Sequence, residues 1–215
     1  LEQRGYLFAA QRGRGDLYFE GRGELDPLEV IADMKRRYRI DEDRIYLLGH
    51  SHGAQGVMNV SMRNPDLFAG VVSAQISGSP DVFENLRYVP SVHIAGAADP
   101  IDNGDGARNR YTQLSSLGYD TQLYIYAAKT HENSSIYDTI TQIFDLYDRS
   151  RRPKNPATVI YTRAGGDLNE PLGLLHDRAY WVSGLAAADP ALDMHVEAES
   201  FAIPHMPLAP MSATR

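Results

Sequence analysis

A chain of 215 residues with 43% hydrophobic and 23% charged residues can bury a real core as one large folded unit, and excludes a disordered tail or a collagen-like rod. Asp and Glu outnumber Lys and Arg by 28 to 21, and the formal charge of −7 argues against a protein that tracks nucleic-acid phosphates. No apolar run reaches the roughly 18 residues of a membrane span, and without cysteine there is no disulfide framework, thiolate nucleophile or Cys-ligated zinc.

The chain opens on Leu1 rather than an initiator Met and enters strand-like sequence at once, so it reads as a piece of something longer. Five short apolar runs, at residues 6–10, 45–48, 70–74, 91–95 and 122–126, alternate with longer amphipathic or turn-rich stretches. This alternation predicts an α/β fold, a doubly wound and mostly parallel sheet with crossover helices. A loop rich in glycine and arginine follows the first run. Asp26-Pro27-Leu28-Glu29 then offers a capping acceptor, a first-turn proline and a returning carboxylate, and Leu28, Ile31, Met34 and Tyr38 share one face, which predicts a helix over 27–38. A second helix opens at His52 and stops at Asn64-Pro65. A third covers 104–117, with Gly118 as a left-handed cap, and a fourth spans 134–149, with Ile136, Ile140, Ile143, Phe144 and Tyr147 at helical spacing.

Ser150-Arg151-Arg152-Pro153-Lys154-Asn155-Pro156 marks a boundary between a core over 1–150 and a small C-terminal β-rich appendage over 151–215. Strands are expected there at 157–162, 179–183 and 194–201. Pro204, Pro207 and Pro210 argue against regular structure in the last dozen residues.

The chemistry-bearing signal is Gly49-His50-Ser51-His52-Gly53, which fits Gly-x-Ser-x-Gly. The pattern alone is weak, but this one follows a predicted strand and opens a predicted helix, the placement a nucleophile elbow requires. There Ser51 sits on a strained turn that needs small neighbours at Gly49 and Gly53, and Gly56 would let the helix approach the sheet. The turn leaves the His52 backbone N–H facing the site at a helix N-terminus, where developing negative charge is favoured. A serine of ordinary pKa needs a base, and the base an orienting acid. Asp99 follows the strand 91–95 and His131 follows the strand 122–126, the positions a doubly wound sheet provides at the carboxyl ends of its strands. Asp102 is the alternative acid. His93, in mid-strand, reads as a satisfied core residue, and His176, His195 and His205 as surface groups. His50 and His52 flank the serine and are either pocket-lining or packing residues.

From residue 6 to about 149 the chain resembles the carboxyl-terminal two-thirds of an α/β-hydrolase, most closely the esterase and polyhydroxybutyrate-depolymerase-like branch bordering the prolyl-oligopeptidase family. The resemblance rests on Arg4-Gly5-Tyr6, on Ile40-Asp41-Glu42-Asp43-Arg44 leading into the elbow, on Asn64-Pro65-Asp66-Leu67-Phe68 and on Ala95-Gly96-Ala97-Ala98-Asp99-Pro100. It implies Ser51 as nucleophile, Asp99 as acid and His131 as base. It also implies about three further strands before residue 6, one of them interior to the sheet and followed by a loop that gives the second oxyanion donor. That strand would come from an upstream segment or a second chain, or be replaced by direct pairing of the strands at 6–10 and 45–48.

The expected function is a serine esterase acting on small-molecule, aryl or carbohydrate esters, with no metal or organic cofactor and neither nucleic acid nor membrane as partner. The alternatives are a peptidase of the prolyl-oligopeptidase type and a non-catalytic binding module of hydrolase fold. Localisation is left open by the sequence.

Overall fold

The computed structural model describes residues 4–11, 14–15, 17–76 and 82–200. Four strands, β1 (Tyr46–His50), β2 (Gly70–Ala74), β3 (Ser91–Gly96) and β4 (Thr121–Tyr126), form a parallel sheet in the order β1-β2-β3-β4. Both faces are covered. On one side Val71 of β2 joins Met58 and Val60 of α2 (His52–Arg63) and Leu114 of α3 (Asp105–Ser116), with Ile31 of α1 (Arg22–Arg37) packed against them. On the other, Val72, Ala74, Val92 and Ile94 pack on Ile143, Phe144, Leu146 and Tyr147 of α5 (Ile140–Arg149). Neighbouring residues of one strand thus enter opposite cores, which is why the strands read as continuous apolar runs rather than as alternation. Among the described residues no helix is long and apolar enough to cross a membrane.

Residues 6–10, expected as a strand, form none. Tyr6 is anchored, its ring beside Tyr46, Phe144 and Tyr147 and its hydroxyl donating to Asp148 at 2.6 Å. Leu7 and Phe8, however, are 57% and 68% exposed. An apolar run becomes a strand only where a neighbour supplies ladder partners. Here β1 is an edge of the described sheet, and residues 6–10 do not pair directly with it. Instead they share with Leu47 and Leu48 the walls of an apolar groove of about 380 Å³.

Two helices differ from expectation. α1 begins at Arg22 and contains Pro27; its first turn is held by tertiary contacts rather than by Asp26, since buried Glu24 accepts hydrogen bonds from Asn64 Nδ2 and His176 Nε2, both at 2.8 Å. The helix expected over 134–149 is broken at Thr139 into α4 (Ser134–Asp138) and α5. The Thr139 hydroxyl donates back to the Ser135 carbonyl at 2.7 Å and meets the Tyr126 hydroxyl at 2.8 Å, the side-chain competition that interrupts helices at threonine.

The β-rich part pairs β5 (Thr158–Arg163) antiparallel with β8 (Met194–Glu199) around buried Val159, Tyr161 and Ala179. The run 179–183 is a hairpin, β6 (Arg178–Ala179) with β7 (Val182–Ser183), rather than a single strand; Tyr180 at φ 55 and the turn it makes split it. Asn85 fastens β5 to the core, exchanging two 2.7 Å hydrogen bonds with the Thr162 backbone while donating to the Met62 carbonyl. His205 and the expected irregular tail lie outside the described residues.

Candidate active site

The turn between β1 and α2 places Ser51 at φ 54, ψ −121, a left-handed conformation that costs a non-glycine residue about 1–3 kcal/mol. The surroundings enforce it. A Cβ at Gly49 would lie 2.1 Å from the Gly53 carbonyl oxygen, so the elbow closes only over glycine. Gly53 itself has open space where a Cβ would go, so the expected need for a small residue there does not hold. Gly56 serves a different contact from the one expected: its Cβ would meet the Phe19 ring at 2.2 Å, not the sheet.

Two loops at the carboxyl ends of β3 and β4 deliver the partners. His131 Nε2 lies 2.8 Å from Ser51 Oγ, and its Nδ1 lies 2.7 Å from Asp99 Oδ2. A carboxylate only accepts, so Nδ1 carries the proton and Nε2 is left to accept from the serine. Asp99 is 2% exposed. Burial pushes its carboxyl pKa up, but the Ile101 N–H at 2.8 Å and His131 outweigh that and hold it below the ordinary carboxylate value. Asp102, the alternative acid, turns away and accepts the Gly106 N–H at 2.9 Å at the start of α3.

A residue that sequence reasoning missed locks the two loops together. Gln75, fully buried and at φ 59 just beyond β2, donates through Nε2 to the Thr130 carbonyl at 2.9 Å and to Ser135 Oγ at 3.2 Å. Its Oε1 accepts the Gly96 N–H at 3.2 Å. Gly96 completes the junction, since a Cβ there would lie 2.1 Å from the Lys129 carbonyl oxygen.

No family model matches the chain. Over 91 residues it is 29% identical to the protein named "Putative esterase NocK" from Nocardia uniformis subsp. tsuyamanensis, a match covering 41% of this chain and 26% of that relative. Among solved structures, a thermostable esterase superposes with a TM-score of 0.56 at 21% identity, covering 61% of this chain and 38% of the other. Esterase PE8 gives 0.50 at 18% identity, with 64% and 66% covered. The chain has the α/β-hydrolase fold. It matches about a quarter of the length of the curated relative.

In this hydrolase fold the histidines around the elbow take different places. His50 is half-buried with its ring centroid 5.1 Å from that of His131, and its Nε2 is buried without a hydrogen bond to a described residue. Burial, then the neighbouring His131, lower its pKa. His52 starts α2, where its backbone N–H has no intrahelical partner, and its exposed ring stands edge-on to Tyr18 at 4.1 Å. His93 is fully buried between Ser73 Oγ at 2.8 Å and Ser91 Oγ at 3.2 Å, and burial holds its pKa well down. His195 is exposed. His176, expected at the surface, is nearly fully buried against Glu24; a histidine 152 residues from its carboxylate gives no local sign of that pairing.

Proposed function

We propose that the chain is a serine carboxylic-ester hydrolase in which Ser51 is the nucleophile, His131 the base and Asp99 the orienting acid. The observation that carries this reading is the continuous line of hydrogen bonds from Ser51 Oγ through both nitrogens of His131 to Asp99 Oδ2. The esterases among the similar proteins support it.

Ser51 Oγ attacks the ester carbonyl carbon while its proton passes to His131 Nε2. The backbone N–H of His52 donates to the carbonyl oxygen as it gains charge, aided by the N-terminus of α2. The tetrahedral intermediate collapses, the carbon–oxygen bond to the alcohol breaks, and the departing alkoxide takes the proton from Nε2. Water then gives a proton to Nε2 and attacks the acyl-enzyme, and the carboxylic acid leaves as the proton returns to Ser51 Oγ. Asp99, held ionised by its hydrogen bonds, keeps Nδ1 protonated and stabilises the imidazolium formed in each half.

Hydrolysis of 4-nitrophenyl acetate tests the reading. Ser51→Ala is expected to lower kcat by at least about 10³-fold, and activity unchanged in that variant contradicts it.

A further inference from the structure

The loop before α1 is built in a way that packing alone does not require. Glu20 N–H donates to the Leu17 carbonyl at 2.9 Å, closing a turn whose two central residues, Tyr18 and Phe19, both have positive φ, 49° and 59°. Turns with that pair of signs are dominated by Asn, Asp and Gly, because a Cβ is strained there. Here two aromatic residues occupy both positions, and surrounding residues hold them in place. Asn59 Nδ2, from α2, donates to the Tyr18 carbonyl at 2.9 Å and to Glu20 Oε1 at 3.2 Å. Phe19 packs its ring against α2 in the space that Gly56 leaves open.

The outcome of this arrangement is the position of Tyr18. Phe19 is spent on anchoring. Tyr18 is left 52% exposed with its ring edge-on to the ring of His52, centroids 4.1 Å apart and planes at 78°. His52 is the residue directly after the nucleophile, and its backbone N–H is the oxyanion donor of the proposed mechanism. A strained turn that presents an exposed aromatic ring to the residue beside the nucleophile is the kind of outlier that points toward function.

We propose that Tyr18 and His52 form an aromatic wall beside Ser51 and that Tyr18 selects esters carrying an aromatic ring, which packs against the pair in offset or edge-to-face geometry. This rests on the serine-esterase reading and adds to it a substrate class and a residue that determines it.

The test measures kcat/KM for two matched pairs, phenyl acetate against ethyl acetate and methyl benzoate against methyl butyrate, in the wild type, Tyr18→Phe, Tyr18→Asn and His52→Ala, with phosphonate labelling of Ser51 in each. In Tyr18→Asn the aromatic-to-aliphatic ratio falls about tenfold in the pair whose ring meets the wall, the size of one lost aromatic contact. Tyr18→Phe keeps the ratio within about twofold, and His52→Ala, which leaves the turn intact, lowers it. Because Asn suits a positive φ, Tyr18→Asn melts at or above the wild-type temperature, whereas a tyrosine kept for packing alone would lose stability and leave the ratio unchanged. Ratios unmoved in both pairs, or lost equally in Tyr18→Phe, overturn the proposal while Ser51 still labels and hydrolyses. A wild type that neither labels nor hydrolyses either pair overturns the esterase reading and this inference with it.

Discussion

The side-chain amide of Gln75 holds the carbonyl oxygen of Thr130 at 2.9 Å, one residue before His131. The same side chain accepts the Gly96 N–H three residues before Asp99. One buried amide therefore sets the spacing between the loop of the base and the loop of the acid. Gln75→Leu leaves the buried Gly96 N–H without its partner, a loss of about 1–3 kcal/mol, and leaves the Thr130 carbonyl with the Glu132 N–H at 2.9 Å alone, so that the two loops are no longer tied to each other. It is expected to lower kcat about 10- to 100-fold with a smaller change in KM, because misplacing His131 affects the transition state more than binding. Steady-state kinetics together with a urea melt check this, and an unchanged kcat in folded protein contradicts it.

The two aspartates of the 96–106 loop are expected to separate cleanly. Asp99→Asn removes the carboxylate that fixes the His131 tautomer, and kcat is expected to fall by about 10³–10⁴. Asp102→Asn keeps an oxygen for the Gly106 N–H but removes the negative charge that the buried Arg110 guanidinium feels, so it is expected to cost about 1–3 kcal/mol of stability and to leave turnover near wild type. Kinetics of the two variants side by side are decisive, since equal losses would mean that the acid is wrongly assigned.

His176 and Glu24 tie the β-rich part to the first turn of α1, and both are nearly fully buried. Replacing His176 by Leu leaves the Glu24 carboxylate with Asn64 Nδ2 at 2.8 Å and Arg63 Nη1 at 3.8 Å, and is expected to destabilise the fold by about 2–3 kcal/mol. His176→Gln, which retains a donor, recovers part of that. Denaturant unfolding measures both variants.

His93 predicts a pH dependence of stability. Burial first, and then the charge of Arg110, hold its pKa well below 6.5, so the folded chain keeps it neutral while the unfolded chain takes up a proton near 6.5. The group therefore leaves stability undiminished above pH 6.5 and removes about 1.4 kcal/mol per pH unit as the pH falls below it. Unfolding free energies of wild type and His93→Asn between pH 7.5 and pH 5 are expected to converge as the pH falls. Parallel curves would contradict this.

The four paired strands were legible because parallel strands covered on both faces read as near-continuous apolar runs, fully buried in β2 and β3 and half-buried in β4. Residues 6–10 carry the same pattern without a ladder partner, which a run of apolar residues cannot reveal. Ser51, Asp99 and His131 could be picked out because each follows a strand end, so that topology alone converges on them. Gln75 could not. Its role depends on which carbonyl of a loop 55 residues away comes within reach of one side chain. Tyr18 was equally hidden, since a Tyr-Phe pair gives no sign of a turn that ordinarily selects Asn and Gly. Gly56 was recognised as a site of close approach and assigned to the wrong neighbour, because Phe19 arrives from outside the element.

An organophosphonate probe reads out whether Ser51 is a nucleophile activated by His131. The folded chain is expected to take up one adduct, located on Ser51 by peptide mass spectrometry, absent in Ser51→Ala and formed at least about 100-fold more slowly in His131→Ala. A well-folded wild type that stays unlabelled, or an adduct that persists in Ser51→Ala, contradicts a nucleophilic Ser51.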